Sequence, residues 1–266
     1  DMGETWDITE RWGPPGIKPG NPIDMVVSKT DPNTVFVNNY GGGVFKTEDG
    51  GKTWVDWSNG YSGANILGLS VSRSGCLAAN GRSQMHLSGD FGETWQGILY
   101  GKSYGLGDGL AIKFLSHDDS NQTIVATDAN SGDLYYSNNL GKDWESATGL
   151  IDIEHSLFEE SFGIHIVEEA TSNPMVLYAG YIQSKIKGQD PHQLDEIEQS
   201  PGMYKSIDGG MSWFPINNGL PDKDYSRNIS DIAVSKQNEN IVYINSLFDG
   251  LYLSLIHISE PTRPVL

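Results

Sequence analysis

In 266 residues, 37% apolar and 10% aromatic, the chain has the mass for one large domain or two small ones around a sizeable core. Its 17 Lys and Arg stand against 35 Asp and Glu, and the resulting net charge of −18 argues against nucleic acid or an anionic membrane surface as partner. No apolar run approaches the roughly 20 residues that span a bilayer, and the single cysteine, Cys76, excludes an intramolecular disulfide and a cysteine-based metal site.

The chain opens on Asp1-Met2-Gly3-Glu4-Thr5-Trp6, the closing portion of an octapeptide that then recurs whole. A first repeat predicts an apolar strand over 23–28, a polar turn over 29–33, a second strand over 34–38 and a loop holding Tyr40. A third strand over 44–46 then runs into Thr47-Glu48-Asp49-Gly50-Gly51-Lys52-Thr53-Trp54, whose Trp begins a fourth. The second repeat starts with a strand over 66–72 and reaches Ser88-Gly89-Asp90-Phe91-Gly92-Glu93-Thr94-Trp95, with Cys76 expected to be buried on a strand. The third predicts strands over 111–116, 123–127 and 134–136 before a degraded copy, Ser137-Asn138-Asn139-Leu140-Gly141-Lys142-Asp143-Trp144. The fourth predicts strands over 163–167, 176–180 and 203–205, an insertion over 183–201, and Ser206-Ile207-Asp208-Gly209-Gly210-Met211-Ser212-Trp213. The fifth predicts strands over 232–235, 241–245 and 251–253, and no further copy follows.

The closing Trp residues are 48, 41, 49 and 69 apart, a period that suits one four-stranded antiparallel blade per repeat. The expected fold is an all-β propeller of about five blades with a partial sixth, formed by residues 1–253. Within each copy the Asp carboxylate is expected to accept hydrogen bonds from its own turn. The Gly permits positive φ, and the Trp is expected to wedge between neighbouring sheets. Both ends read as cut, because the first residues fall inside a copy and residues 254–266 replace the copy that is due. That tail resembles a translated sequencing-library adaptor and is expected to be non-native, leaving the remaining blades to a longer parent protein.

The octapeptide resembles the Asp-box, S/T-x-D-x-G-x-T-W, of the sialidase and sortilin-like propellers, and the resemblance covers nearly the whole chain. It makes Asp49, Gly51, Trp54, Asp90, Gly92, Trp95, Asn139, Gly141, Trp144, Asp208, Gly210 and Trp213 structural residues. It implies an extracytoplasmic location, and it assigns neither cofactor nor metal. His86, His117, His155, His165 and His192 likewise show no metal-ligand spacing.

In a four-stranded meander the octapeptide turns share one face with the turns between first and second strands. Ligands are expected on the opposite face, where Tyr40, Tyr61, Tyr104, Tyr181 and Tyr225 would offer stacking surfaces beside Arg227. Such a face suits a glycan or a protein segment. Catalysis would need two carboxylates about 5–5.5 or 6.5–9.5 Å apart, and the candidates are Asp108, Glu159, Glu160, Asp224 and Asp249. Sialidases hold their substrate with three arginines, the first in Arg-Ile-Pro. This phrase is absent here, and outside the tail only Arg11, Arg73, Arg82 and Arg227 occur. Xyloglucan-hydrolysing two-propeller enzymes place a catalytic Asp before Gly-Gly after a second strand. Tyr40 stands at that position in the first repeat, and Asp249-Gly250 lies similarly in the last. The expected function is therefore binding, with glycoside hydrolysis as the alternative.

Overall fold

The computed structural model describes residues 22–39, 43–60, 66–81, 85–98, 112–115, 123–127, 133–150, 163–182, 201–221, 227–247 and 249–254. These form five antiparallel sheets, four of four strands and one of three. Blade 1 is β1 Pro22–Val27, β2 Val35–Asn39, β3 Val44–Thr47 and β4 Val55–Asp56. Blade 2 is β5 Ile66–Val71, β6 Leu77–Gly81, β7 Met85–Ser88 and β8 Gln96–Ile98. Blade 3 is β9 Ile112–Phe114, β10 Ile124–Thr127, β11 Leu134–Ser137 and β12 Glu145–Ser146. Blade 4 is β13 Gly163–Glu169, β14 Leu177–Ile182, β15 Met203–Ser206 and β16 Phe214–Pro215. Blade 5 is β17 Ile229–Val234, β18 Val242–Ser246 and β19 Gly250–Ser254. Within every blade the strands pair in sequence order, and the innermost strands β1, β5, β9, β13 and β17 succeed one another round an axis, each touching the next. The molecule is an all-β propeller, as the repeat predicts.

Each fourth strand starts one residue past a closing Trp, because the octapeptide is a turn that reverses the chain. Thr47 Oγ1 donates to Asp49 Oδ1 (2.8 Å) and accepts the Gly51 N–H (3.0 Å). Asp49 in turn accepts the Thr53 N–H (2.9 Å) and hydroxyl (2.6 Å). The copies built on Ser88 and Ser206 make the same bonds. The degraded copy keeps the geometry with its groups exchanged. Asn139 Oδ1 accepts the Asp143 N–H (2.9 Å), and Asn139 Nδ2 donates to Asp143 Oδ2 (2.9 Å). The turn holds two consecutive residues in the left-handed region, Gly50 and Gly51 in the first copy but Phe91 and Gly92 in the second.

The core lies between blades. Trp95 of blade 2 packs with Phe36 and Val44 of blade 1, and Trp144 of blade 3 packs with Ala78 and Met85 of blade 2. Trp213 of blade 4 packs with Val125 and Leu134 of blade 3. The wedge role therefore holds at three joints, and Trp54 lies on the remaining face of blade 1 with Val35, Val37 and Phe45. The fifth blade packs on the fourth through Ile229, Ile232, Val242 and Ile244, with no Trp in that cluster among the described residues.

Two local expectations are corrected. Cys76 is half-buried in the turn ahead of β6, because β5 ends at Val71 and the turn that follows, with Gly75 at positive φ, holds the Cys76 N–H on Ser72 Oγ (2.9 Å). The first strand of blade 5 begins at Ile229 rather than 232, because a bulge between Ile229 and Asp231 interrupts the apolar alternation by which a strand is read.

Candidate functional site

The β1–β2 and octapeptide turns meet on one face, where Asn33 O accepts the Gly50 N–H (3.1 Å) and Met175 O accepts the Gly209 N–H (3.0 Å). The octapeptide carboxylates are consumed there by their own turns. The Thr53 hydroxyl and N–H hold Asp49 well below the usual carboxylate range, and Thr94 does the same for Asp90. Burial works against this at Asp208, but bonds from Ser212 and Ser206 outweigh it and its carboxyl is also lowered.

Of the residues expected on the opposite face, Tyr40, Tyr61, Tyr104, Tyr225, Asp108, Glu159, Glu160 and Asp224 lie outside the described residues. Tyr181 is corrected. Its ring is buried in the blade 3–blade 4 core, 5.6 Å from that of Tyr204, and offers no stacking surface. The second strand turns this residue towards the preceding blade, and burial pushes its hydroxyl far above the ordinary range. Arg227 Nε donates to Pro221 O (3.0 Å), bracing the segment that enters β17. Asp249 is exposed in the β18–β19 turn, its N–H donating to Ser246 Oγ (3.3 Å) and Gly250 following at positive φ. That is the geometry of a turn-forming Asp-Gly pair.

The structure instead brings a different set of residues together at the axis. A cavity of about 520 Å³ is lined by all five innermost strands and the turn after β1. Its walls include Val26, Leu69, Val71, Ile112, Ile166 and Val167, and its polar groups are Asp24, Lys29, Ser70, Lys113, His165, Glu168 and Ser230. Bulges build it. The register shifts between Pro22 and Met25, Ile164 and Ile166, and Ile229 and Asp231, which places Asp24, His165 and Ser230 at the interruptions. All innermost strands run in one sense, so these three lie towards the face away from the octapeptide turns, and Lys29 and Glu168 lie nearer those turns.

Asp24 ties blade 1 to blade 2. Its Oδ2 accepts the Leu69 N–H (2.8 Å), its Oδ1 the Met25 N–H (2.8 Å), and its own N–H donates to Asn38 Oδ1 (2.7 Å). Burial nevertheless raises its carboxyl above the usual value, against the two N–H bonds and the more distant Lys113. At the next joint Ser70 Oγ does likewise, accepting the Phe114 N–H (2.9 Å). Lys113 Nζ pairs with Glu168 Oε2 (2.6 Å) across blades 3 and 4. Crowding by the surrounding strands lowers the Lys29 ammonium, which Glu169 partly offsets, and lowers the His165 imidazole from its ordinary value, although both side chains keep solvent-exposed surface. Among the described residues no group of three or more His, Cys, Asp or Glu is placed to hold a metal ion. The sequence signal for this set is slight. Each is a polar residue interrupting an apolar first strand or just following one, a pattern that surface positions share.

No protein-family model and no curated protein matches the sequence. Solved structures match it at the level of fold. An ancestral GH74 enzyme superposes with a TM-score of 0.62 at 17% identity, covering 89% of this chain and 28% of its own. The GH74 xyloglucanase from Xanthomonas campestris gives 0.60 at 14% identity, covering 90% of this chain and 37% of its own. YCF48 from Cyanidioschyzon merolae gives 0.57 at 21% identity, covering 87% of this chain and 66% of its own. The chain thus spans about a third of the length of these GH74 enzymes and about two thirds of that YCF48 chain.

Proposed function

We propose that this chain is a binding propeller that takes a protein segment, entering the axial cavity from the face away from the octapeptide turns. The observation that carries this reading is the state of the cavity's carboxylates. Asp24 is committed to two backbone N–H groups and Glu168 to Lys113, so both serve to join blades. What remains is an apolar wall with the side chains of Ser230, His165 and Lys29 accessible along it, suited to an inserted side chain and its flanking backbone. A glycan is the other ligand class that such a surface suits. The similarity to YCF48 and to the GH74 enzymes supports the propeller fold alone and does not favour binding over catalysis. An extracytoplasmic location belongs to the same reading and rests on the Asp-box resemblance.

The test is selection of peptides on the immobilised chain, followed by calorimetric titration of the selected peptide. Affinity is expected to fall at least tenfold in His165→Ala and Lys29→Ala with the fold intact by circular dichroism. Peptides bound equally by both variants would overturn the site.

One observation favours glycoside hydrolysis instead. Asp24 has the raised carboxyl of a general acid and shares a cavity with a second carboxylate, Glu168. Release of reducing sugar from xyloglucan, lost in both Asp24→Asn and Glu168→Gln, would establish that reading in place of the first.

A further inference from the structure

An asparagine that precedes glycine exposes its side-chain amide to attack by the next backbone nitrogen, because glycine has no Cβ to hinder the approach. Ring closure needs a rotation about the Cα–C bond of the asparagine, which swings that nitrogen towards the side chain and carries the main-chain oxygen away. The chain has three such pairs, Asn59-Gly60, Asn80-Gly81 and Asn218-Gly219, and the fold sets each in different surroundings.

Asn80 and Gly81 close β6, a strand with neighbours on both sides. Asn80 stands opposite Gly68 on β5 and Met85 on β7, and Gly81 stands opposite Ile66, so the rotation would break the ladder.

The other two pairs hold equivalent places in the turns that leave β4 and β16. Ser58 Oγ accepts the Val44 N–H (3.0 Å) in the first turn, and Asn217 Oδ1 accepts the Met203 N–H (2.8 Å) in the second. Beyond that point the turns differ. Asn59 O accepts the Trp95 N–H (2.8 Å), and Gly60 (φ +82°) lies so close to blade 2 that an added Cβ would collide with Trp95 O. The rotation at Asn59 would therefore part the joint between blades 1 and 2. The turn between blades 3 and 4 is clamped in the same way, with Thr148 O on the Trp213 N–H (2.8 Å) and Gly149 against Trp213 O.

Nothing clamps Asn218. It is exposed, and among the described residues no atom stands within 4 Å of the place a Cβ would take on Gly219 (φ +86°). Asn217 beside it is tied at both ends of its amide, Oδ1 to the Met203 N–H and Nδ2 to Pro201 O (2.8 Å), whereas the Asn218 amide has no such partner among the described residues. One bond closes the turn round the pair, from the Leu220 N–H to Asn217 O (3.0 Å).

We propose that Asn218 is a deamidation site, selected from the three Asn-Gly pairs by the freedom of its turn. The Gly219 nitrogen bonds to Asn218 Cγ, and the side-chain NH2 leaves as ammonia with the proton of the Gly219 N–H, closing a succinimide. Water then opens the ring. Addition at Cγ gives aspartate, and addition at the main-chain carbonyl gives isoaspartate, in which the chain runs on through the former side chain. Water is the only co-reactant. Both products add a negative charge, and the isoaspartyl form lengthens the turn by one main-chain carbon. That separates the Leu220 N–H from Asn217 O and draws Leu220 away from the cluster that seats blade 5 on blade 4.

The experiment incubates the full chain in mildly alkaline buffer below its unfolding transition, with a parallel sample unfolded in urea. Samples taken over time are digested and mapped by peptide mass spectrometry for the replacement of NH2 by OH. Isoaspartate is counted by methyl transfer from S-adenosylmethionine with an isoaspartyl methyltransferase. In the folded chain Asn218 is expected to deamidate at least tenfold faster than Asn59 and Asn80, and in urea the three rates should converge to within threefold. Asn218→Gln, an exposed change that keeps the amide, should lower the isoaspartate count at least fivefold with the circular dichroism unchanged. A folded rate at Asn59 or Asn80 equal to that at Asn218 overturns the proposal. So does a tenfold preference for Asn218 that persists in urea, since the local sequence rather than the fold would then select the site.

Discussion

Asp208 on an octapeptide turn and Asp24 at the axis are both carboxylates that burial would push upward, yet they end on opposite sides of their ordinary value. Asp208 receives the Ser212 hydroxyl, the Ser206 hydroxyl and the Ser212 N–H, and these outweigh the desolvation. Asp24 receives two backbone N–H groups in a more enclosed place, and desolvation wins. The octapeptide turn is a self-sufficient hydrogen-bonded unit that presents a Trp to the joint. The axis is assembled from residues of separate blades, each only partly satisfied by its partners.

The largest effect that sharpens this contrast belongs to the joint. Trp213→Ala removes a buried wedge from the blade 3–blade 4 core and should cost about 3–5 kcal/mol in denaturant unfolding. A cost below about 1 kcal/mol would break the view that the octapeptide acts through its Trp. Ser206→Ala comes next. It strips a buried hydroxyl that bonds Asp208 and the Gly210 N–H, and should cost about 1–3 kcal/mol. Ser230→Ala at the axis, where the hydroxyl meets only exposed partners on Asn245, should stay within about 0.5 kcal/mol. Equal costs at the two serines would erase the distinction between turn and axis.

Smaller still is the Lys113–Glu168 pair, whose side chains are 24% and 33% exposed. A double-mutant cycle should give a coupling of about 1 kcal/mol or less, decreasing in high salt. The finest test is the pH dependence of stability. Because the folded carboxyl of Asp208 is lowered, its stabilisation is complete above about pH 4 and is lost as pH falls below the ordinary value of 3.8. Asp24 is raised, so it removes stability as pH rises from 3.8 through its folded value. Asp208→Asn should flatten the acid limb of the stability curve, and Asp24→Asn the limb just above it. Matching slopes in the two variants would show that both residues share one environment.

The blades were legible because an octapeptide that makes its own hydrogen bonds carries its structure in eight consecutive residues, and Asn139 with Asp143 shows that even an exchanged pair preserves it. The cavity was not legible. Asp24 bonds Leu69 and Lys113 bonds Glu168, partners 45 and 55 residues apart that no local pattern links. The buried Tyr181 misled for the same reason: its residue type suggests a surface ring, and only the packing of blade 4 on blade 3 turns it inward.

Repeat, strand order, octapeptide turns and Trp wedges follow from the order of the amino acids alone, because each depends on interactions within a few residues or on apolar periodicity. The bulges that aim Asp24 and His165 and the ion pair across the axis arise only when the blades pack together. Their cause is the curvature with which one blade sets itself against the next, and that curvature is a sum over many packed side chains rather than a property of any segment.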